Sequence, residues 1–218
     1  MPDQTLFTRR KLLWGAAFAS LALAGCSKDN KAATNLLSKD ATILCLGDSL
    51  TFGYGATQGA SFPVLLEQLT GHVVQNAGVN GDTAEGALQR LPALLQENKP
   101  GLVIVGIGGN DFLRGVPPAR TKAALTSIVE AVKASGAKIV LVAEPRPVLM
   151  AAATGSLADH EVYAEVASET GAPLFSDAWS YVLSRAELRS DQIHANDEGY
   201  KVFAGKLNDW LREQKFVI

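Results

Sequence analysis

Cysteine, histidine and clustered basic residues are all scarce in this chain. Its 218 residues include 2 cysteines and 3 histidines, and 20 Lys and Arg stand against 22 Asp and Glu, for a net charge of -2. The pI is near 5.9, whereas a nucleic-acid-binding domain usually exceeds about 9. The sequence contains no basic run interleaved with aromatics, no internal repeat and no long low-complexity segment. We therefore expect no nucleic-acid partner, and we expect one domain with a full core, as a monomer.

Long apolar runs are also lacking, and the N-terminal one is too short to span a bilayer comfortably. It covers residues 12–23 and follows the basic residues Arg9, Arg10 and Lys11, whereas a spanning helix needs about 20 apolar residues. A positive region followed by a short apolar stretch is typical of an export signal, which we assign to residues 1–25. Residues 8–13 also resemble a twin-arginine export motif, so the sequence leaves the general secretory and twin-arginine routes open.

Cys26 stands at the end of this segment. The residues Leu23-Ala24-Gly25-Cys26 resemble the lipobox of bacterial lipoproteins, in which the cysteine is lipidated and becomes the new N-terminus. The alternative is an ordinary signal peptide whose cleavage site lies near a cysteine. Ser27 follows the cysteine, a pattern similar to that of lipoproteins sorted to the outer membrane. The expectation is an exported bacterial lipoprotein, anchored in the outer membrane and facing the periplasm if the organism has two membranes.

The rest of the chain divides into a short polar segment and a folded domain. Residues 26–40 are polar and lack apolar periodicity, which favours a flexible tether. The domain is expected over residues 41–218. Lipid on Cys26 would leave Cys45 as the only other thiol, so no intramolecular disulfide is expected. Cys45 lies in an apolar run and is predicted to be a small buried side chain.

Apolar runs and helical patterns alternate along the predicted domain. Short apolar runs bounded by Gly or Pro predict buried strands at residues 42–46, 72–75, 102–107, 138–143 and 173–175. Apolar residues at three- and four-residue spacing predict helices at residues 62–69, 83–98, 117–136, 161–169 and 197–214. This alternation predicts an α/β fold, a three-layer α/β/α sandwich with a flavodoxin-like five-stranded parallel sheet and right-handed crossovers.

Three polar, glycine-rich segments follow the first three predicted strands. They are Gly47-Asp48-Ser49, residues 76–83 and Gly108-Gly109-Asn110-Asp111. In open α/β sheets, ligands bind at the carboxyl ends of the strands. A serine after a strand commonly caps the next helix, and Asp48 and Asp111 could equally hold turns by hydrogen bonds.

Asp191 and His194 precede the last predicted helix and could supply a carboxylate and an imidazole to the same edge. A serine hydroxyl becomes nucleophilic when an imidazole takes its proton, and a carboxylate on the other ring nitrogen fixes the tautomer. His72 is expected to be a surface or edge residue and His160 to be solvated, which leaves His194 as the base. One carboxylate and one imidazole fall short of the three protein ligands of a catalytic zinc, so neither a metal nor a cofactor is expected.

Four ordered blocks carry a resemblance to a known family. The chain resembles the SGNH (GDSL) hydrolases, most closely the branch that contains bacterial thioesterase I (lysophospholipase L) and arylesterases, from residue 42 to about residue 208. The matching blocks are Gly47-Asp48-Ser49-Leu50, Gly81, Gly109-Asn110-Asp111 and Asp191-x-x-His194, supported by Arg90-Leu91-Pro92-Ala93-Leu94-Leu95 and Leu113-Arg114-Gly115.

The resemblance implies a serine esterase that hydrolyses acyl esters or thioesters through an acyl-serine intermediate. Ser49 would be the nucleophile, His194 the base and Asp191 its partner. The oxyanion would be bound by the backbone N–H groups of Ser49 and Gly81 and by the side-chain amide of Asn110, with Gly78 as the fallback for Gly81. The family usually has proline after the catalytic histidine, whereas this chain has Ala195, which could loosen the histidine loop.

The substrate range is the least determined part of the prediction. Apolar side chains beside a site can bury an acyl chain, and Phe112, Leu113, Pro145 and Arg146 lie in segments that could line such a groove. The same segments could instead be loops packed for stability. Two functional alternatives stay open: an O-acetylesterase that acts on cell-envelope glycans, and a binding lipoprotein that has lost catalytic activity.

Overall fold

A five-stranded parallel sheet forms the centre of the protein. The structure, a computed structural model, describes residues 35–146 and 157–218, so the predicted signal segment and Cys26 lie outside the described residues. The strands are β1 (Ile43–Gly47), β2 (Val74–Gly78), β3 (Leu102–Gly106), β4 (Lys138–Val142) and β5 (Leu174–Phe175). Their order in the sheet is β2-β1-β3-β4-β5, and every neighbouring pair is parallel. The predicted flavodoxin-like α/β fold is therefore confirmed.

Helices connect the strands and cover both faces of the sheet. They are α1 (Ser49–Phe52), α2 (Phe62–Thr70), α3 (Ala84–Asn98), α4 (Gly109–Leu113), α5 (Pro118–Ala134), α6 (Glu161–Thr170), α7 (Ala178–Leu183) and α8 (Asp197–Glu213), with a 3₁₀ turn at Ala186–Leu188. Alternate residues of β1 and β3 point to opposite faces, so Cys45 and Ile104 pack in one core cluster, with residues of α2, α7 and α8. Leu44 and Val103 pack in the other cluster, with residues of α3, α5 and α6.

The predicted boundaries differ most from the structure at β2 and at the start of the domain. Strand β2 begins at Val74, two residues later than predicted, and extends through Gly78, so part of the expected loop belongs to the sheet. Leu37, which the tether prediction included, is buried in the core, and its N–H donates to the Phe216 carbonyl at 2.9 Å. The ordered fold thus begins a few residues before residue 41.

The sheet order also determines where polar side chains converge. β1 and β3 are central neighbours whose connections leave in opposite directions along the sheet, which makes their carboxyl ends the topological switch point. Ser49 follows β1 and Asn110 follows β3. Within the described residues, no helix combines the length and the apolar character that crossing a membrane requires.

Candidate active site

Ser49 is held at the sharp junction between β1 and α1. The strand ends at Gly47, and the Asp48 side chain caps the helix by accepting the Leu50 N–H at 3.0 Å. A Cβ on Gly47 would lie 2.0 Å from the Thr51 hydroxyl and 2.3 Å from the Gly106 carbonyl. Only glycine permits this close approach between β1, α1 and β3, so the position of the serine depends on residue 47.

The structure brings Ser49, His194 and Asp191 into one hydrogen-bonded chain. The Ser49 hydroxyl lies 3.0 Å from His194 Nε2, and His194 Nδ1 lies 2.7 Å from Asp191 Oδ2. Asp191 Oδ1 accepts the backbone N–H groups of Ile193 and His194, both at 2.8 Å. Burial raises the pKa of Asp191, but these hydrogen bonds outweigh it and the net pKa is lowered. The carboxylate therefore stays ionised where it orients the imidazole.

The loop that carries His194 is held without the proline expected after it. Ala195 is fully buried and forms a bridge with Arg189. The Ser190 N–H donates to the His194 carbonyl at 3.0 Å. On the outer side, the ring of Tyr54 packs against the imidazole with 4.4 Å between ring centroids. These contacts replace the restriction that a proline would impose on the backbone.

Asn110 lies across the cleft from the imidazole, at the start of α4. Its Nδ2 donates to Asp48 Oδ2 at 3.1 Å, and it lines the same cleft as Ser49 and His194. An amide nitrogen carries two hydrogens, so one of them can serve Asp48 while the other serves a ligand. The geometry suits the oxyanion-binding role that the family resemblance implies.

Of the two glycines considered as oxyanion donors, Gly81 is the one whose N–H makes no hydrogen bond within the described residues. It has φ of +75°, a left-handed conformation, and its carbonyl accepts Arg114 Nη2 at 2.8 Å. Gly78 lies inside β2, and its N–H already donates to Asn76 Oδ1 at 2.9 Å. The Gly78 N–H is therefore occupied by the Asn76 side chain, which favours Gly81 over Gly78 as the oxyanion donor. The role of Gly81 stays a prediction.

The surface of the cleft beside Ser49 is mainly apolar. The cleft holds about 530 Å³ of space when the solvent at its open mouth is included. Leu113, Pro145 and Arg146 line it, and their contact with an acyl chain stays a prediction. Phe112 does not line it, because its ring stacks on His160 at 3.7 Å between centroids. The apolar lining residues are Leu50, Leu113, Pro145, Leu157, Leu183 and Ile193.

The other two histidines are both buried. His160 was expected to be solvated, and this was wrong: it is 9% exposed, because Phe112 covers its ring. His72 was expected at the surface or at an edge. It precedes the edge strand β2, but it is 9% exposed and its Nδ1 lies 3.1 Å from the Ala41 carbonyl. Among the described residues, no group of three or more His, Cys, Asp or Glu side chains is arranged to hold a metal ion.

Sequence reasoning considered Asp48 and Asp111 as residues that hold turns, but it missed Glu144 and the burial of all three acidic side chains. Asp48, Asp111 and Glu144 are 2%, 3% and 1% exposed. Burial raises the pKa of Asp48 to about 7 and the pKa of Glu144 well above its usual range, and it also raises the pKa of Asp111. Glu144 was detectable in principle, since it is the charged residue that ends the apolar run of β4, at the same sheet edge as Asp48.

Arg90 of α3 joins the two strands next to the site. Its Nη2 donates to the Gly47 carbonyl at 2.9 Å and its Nη1 to the Ala77 carbonyl at 2.7 Å. Its Nε pairs with Asp82 at 2.8 Å. One guanidinium therefore holds the end of β1, the end of β2 and the loop that follows Gly81.

The site contains a serine, an imidazole and a carboxylate in this order, at the switch point of a parallel α/β sheet. This is the arrangement of a serine hydrolase. The chain matches the sequence profile of the GDSL-like Lipase/Acylhydrolase family over residues 45–202. It belongs to this family of hydrolases, and the predicted family resemblance is confirmed.

Named relatives agree with this assignment. The chain is 35% identical over 176 residues to "Thioesterase 1/protease 1/lysophospholipase L1" of Escherichia coli K12, covering 79% of this chain and 82% of that protein. It is 39% identical over 130 residues to "Esterase TesA" of Pseudomonas aeruginosa, covering 56% of this chain and 62% of that protein. It is also 32% identical over 162 residues to an arylesterase of Vibrio mimicus, covering 72% and 80% of the two chains.

Solved structures show the same architecture. A crystal structure of TesA superposes with a TM-score of 0.71 at 30% identity, covering 79% of this chain and 99% of that one. The psychrotrophic esterase EstA of Pseudoalteromonas, in a structure inhibited by monoethylphosphonate, gives a TM-score of 0.70 at 27% identity, covering 80% and 98%. The similarity therefore extends over nearly the whole length of both solved chains.

Proposed function

We propose that this protein is a serine esterase that cleaves acyl esters or thioesters through an acyl intermediate on Ser49. The observation that carries the proposal is the continuous hydrogen-bonded chain from Ser49 through His194 to Asp191, which opens into an apolar cleft. Relatives named as thioesterase, lysophospholipase and arylesterase support the same class of substrate.

The chemistry follows from the two hydrogen bonds of the imidazole. His194 Nε2 takes the proton of the Ser49 hydroxyl as its oxygen attacks the carbonyl carbon of the ester. His194 then returns this proton to the leaving alcohol or thiol, and the acyl group remains on Ser49. A water molecule, deprotonated in the same way, attacks the acyl-serine. The bond between the acyl carbon and the Ser49 oxygen then breaks, the imidazolium returns the proton to Ser49, and the acid is released. Asp191 stabilises the imidazolium that forms in each half of the reaction.

Charge on the carbonyl oxygen is stabilised by hydrogen-bond donors around Ser49. The Ser49 N–H stands at the first position of α1, where a helical N–H has no acceptor within its own helix. The Asn110 amide of α4 and the Gly81 N–H in the loop after β2 are the further donors that the family resemblance implies. Donors held in place in this way lower the barrier because they need no reorganisation when the charge develops.

The length of the acyl chain is the substrate feature for which we propose that the enzyme is selective. Leu113 and Ile193 lie at the cleft and are 48% and 36% exposed, so they present apolar surface that a hydrocarbon chain could cover. Each CH₂ buried there would contribute about 0.8 kcal/mol. We therefore propose a preference for medium or longer acyl chains over acetyl.

The test is kcat/KM of a soluble form beginning after Cys26 on p-nitrophenyl esters from acetyl to palmitoyl, with Ser49→Ala measured alongside. Activity should rise with chain length and fall by at least about 10³-fold in the variant. Serine-dependent activity confined to acetyl esters would favour the glycan O-acetylesterase. No turnover on any ester would favour an inactive binding protein, and unchanged turnover in Ser49→Ala would refute the mechanism.

We also propose that the protein is an exported lipoprotein anchored to the membrane through Cys26. The lipobox-like residues 23–26 and the basic and apolar segments before them support this proposal. Cys26→Ser should move the protein from the membrane fraction to the soluble fraction and abolish labelling by a palmitate analogue. Cys45→Ser, which changes a buried thiol, is the control and should leave both unchanged. Continued lipid labelling of Cys26→Ser would refute the anchor.

A further inference from the structure

Glu144 is a buried carboxyl group that the proposed mechanism does not use. It follows β4, is 1% exposed and lines the cleft beside Ser49. Its Oε2 accepts the Gly109 N–H at 2.6 Å. Its Oε1 is buried and has no hydrogen-bond partner among the described residues. A buried acidic oxygen without a donor is costly when the group is ionised.

Asp48 is the second carboxyl group at this place, and its partners differ from those of Glu144. Asp48 Oδ1 accepts the Leu50 N–H at 3.0 Å and Oδ2 accepts Asn110 Nδ2 at 3.1 Å. Both of its oxygens therefore have donors, which favours its charged form. Among the described residues, Glu144 has one donor for two oxygens, so a single negative charge shared between the two groups belongs on Asp48.

The other titratable groups that face Glu144 do not stabilise a charge there. Burial raises the pKa of Glu144 most, and the charges of Asp48, after β1, and of Asp111, in α4, raise it further. From α6, the Tyr163 hydroxyl donates to the Ile107 carbonyl at 3.0 Å. The nearby Arg146 pairs with Glu161 at 3.0 Å. On the geometry of its partners, Glu144 is a neutral acid in the folded protein.

We propose that Glu144 is a positioning residue, an uncharged carboxylic acid that holds the Gly109–Asn110 turn so that the Asn110 amide faces the oxyanion. This inference rests on the proposed function. A Cβ on Gly109 would lie 2.4 Å from Glu144 Oε2, so the carboxyl group is in direct contact with the backbone of the turn. Glu144 holds Gly109 from β4, while Asp48 holds Asn110 from β1.

Ionisation of Glu144 would oppose catalysis at this position. It would place a second negative charge next to Asp48 and beside the oxygen that becomes negative in the transition state, where like charges repel most strongly in a buried site. Activity is therefore expected to fall at alkaline pH as Glu144 loses its proton. An amide at residue 144 keeps the acceptor for the Gly109 N–H and cannot ionise.

The experiment measures kcat and KM of the soluble domain on p-nitrophenyl butyrate by pH-stat from pH 5 to 10. Glu144→Gln should retain kcat within about threefold at neutral pH and lack the alkaline fall of the wild type. Glu144→Ala should lose at least tenfold in kcat with KM changed less than twofold. Glu67 offers a matched control, since its Oε2 accepts the Val74 N–H at 2.8 Å on an exposed surface. Glu67→Gln and Glu67→Ala should match the wild type.

Two outcomes of these kinetic measurements would overturn the proposal. One is wild-type kcat in Glu144→Ala. The other is an equal loss in Glu144→Gln and Glu144→Ala with the alkaline limb unchanged, which would mean that the ionised carboxylate is required. If Glu144→Ala fails to fold, as judged by its circular dichroism, the pH profile of Glu144→Gln alone still decides.

A second measurement separates this proposal from the proposed function. Carboxyl ¹³C NMR of protein labelled at glutamate, with the Glu144 signal assigned by its absence in Glu144→Gln, reports the proton without any turnover. The signal should remain that of a protonated acid at neutral pH. If the Glu144 signal shifts over the same pH range as the signals of the exposed glutamates, the neutral acid is refuted. Failure of the esterase test would not affect this NMR result.

Discussion

At the scale of single residues, Asn110 has two roles: it forms a structural hydrogen bond and it lies in the cleft where the reaction would take place. Its side-chain amide donates to the buried Asp48 and faces the cleft that holds Ser49. The hydrogen bond to Asp48 orients the amide before any substrate binds, which is the condition under which a donor contributes most to catalysis. The same bond gives the buried Asp48 carboxylate one of its two donors.

Asn110→Ala should reduce kcat by about 10²–10³ while KM changes little, because the lost donor acts mainly on the transition state. Steady-state kinetics on p-nitrophenyl butyrate measure both constants. Asn98→Ala is the matched control, since Asn98 Nδ2 also donates to a carbonyl, that of Leu94 at 2.9 Å, at the far end of α3. A similar loss of kcat in both variants would mean that the effect of residue 110 is not specific.

At the scale of secondary-structure elements, the site depends on how the ends of the strands are joined. Arg90 extends from α3 to the carbonyls of Gly47 and Ala77 and to the Asp82 carboxylate. These three acceptors belong to β1, β2 and the loop after Gly81. The arginine side chain is 25% exposed and that of Asp82 is 12% exposed, so water replaces these hydrogen bonds poorly.

Arg90→Ala should lower the free energy of unfolding by about 2–4 kcal/mol, because it leaves Asp82 and two carbonyls without their donor. Urea unfolding followed by circular dichroism measures this change. Arg120→Ala is the control. Arg120 lies on the neighbouring α5 and forms an exposed ion pair with Glu85 of α3 at 2.6 Å. That change should cost less than about 1 kcal/mol. Equal losses in the two variants would contradict the role assigned to Arg90.

At the scale of the whole molecule, the buried carboxyl groups link stability to pH. Unfolded Asp and Glu titrate near pH 4, whereas burial raises the folded pKa of Asp48 to about 7 and that of Glu144 well above its usual range. Above pH 4, Asp48 and Glu144 bind more protons in the folded protein than in the unfolded chain. The stability that these two groups contribute below pH 4 is therefore lost as pH rises towards their folded pKa values.

Glu144→Gln should lose less stability between pH 5 and 8 than the wild type, because one of the two proton-binding groups is gone. Each pH unit in this window costs up to about 1.4 kcal/mol per excess bound proton. Urea unfolding at pH 5, 6, 7 and 8 measures the difference. Glu67→Gln should follow the wild-type curve, and a Glu144→Gln curve parallel to the wild type would contradict the prediction.

Local patterns in the sequence predicted the order of the elements and the class of fold. The buried runs of β1, β3 and β4 and the spaced apolar residues of α3 and α8 are strong signals, because packing on one or both faces imposes them directly. Ser49 and Asn110 were expected from motifs that follow strands, and Asp191 and His194 from the block before the last helix. Their convergence was expected from topology, since parallel strands bring their carboxyl ends to one edge.

Only the tertiary structure decided which side chains touch. His160 was predicted to be solvated and is buried, and Phe112 stacks on it instead of lining the cleft. The short helices α1 and α4 lack a periodic signal because each is about one turn long. The contact of Glu144 with Gly109 joins residues far apart in the chain. Local sequence carries the spacing of apolar residues, whereas such long-range contacts depend on how the packed layers align.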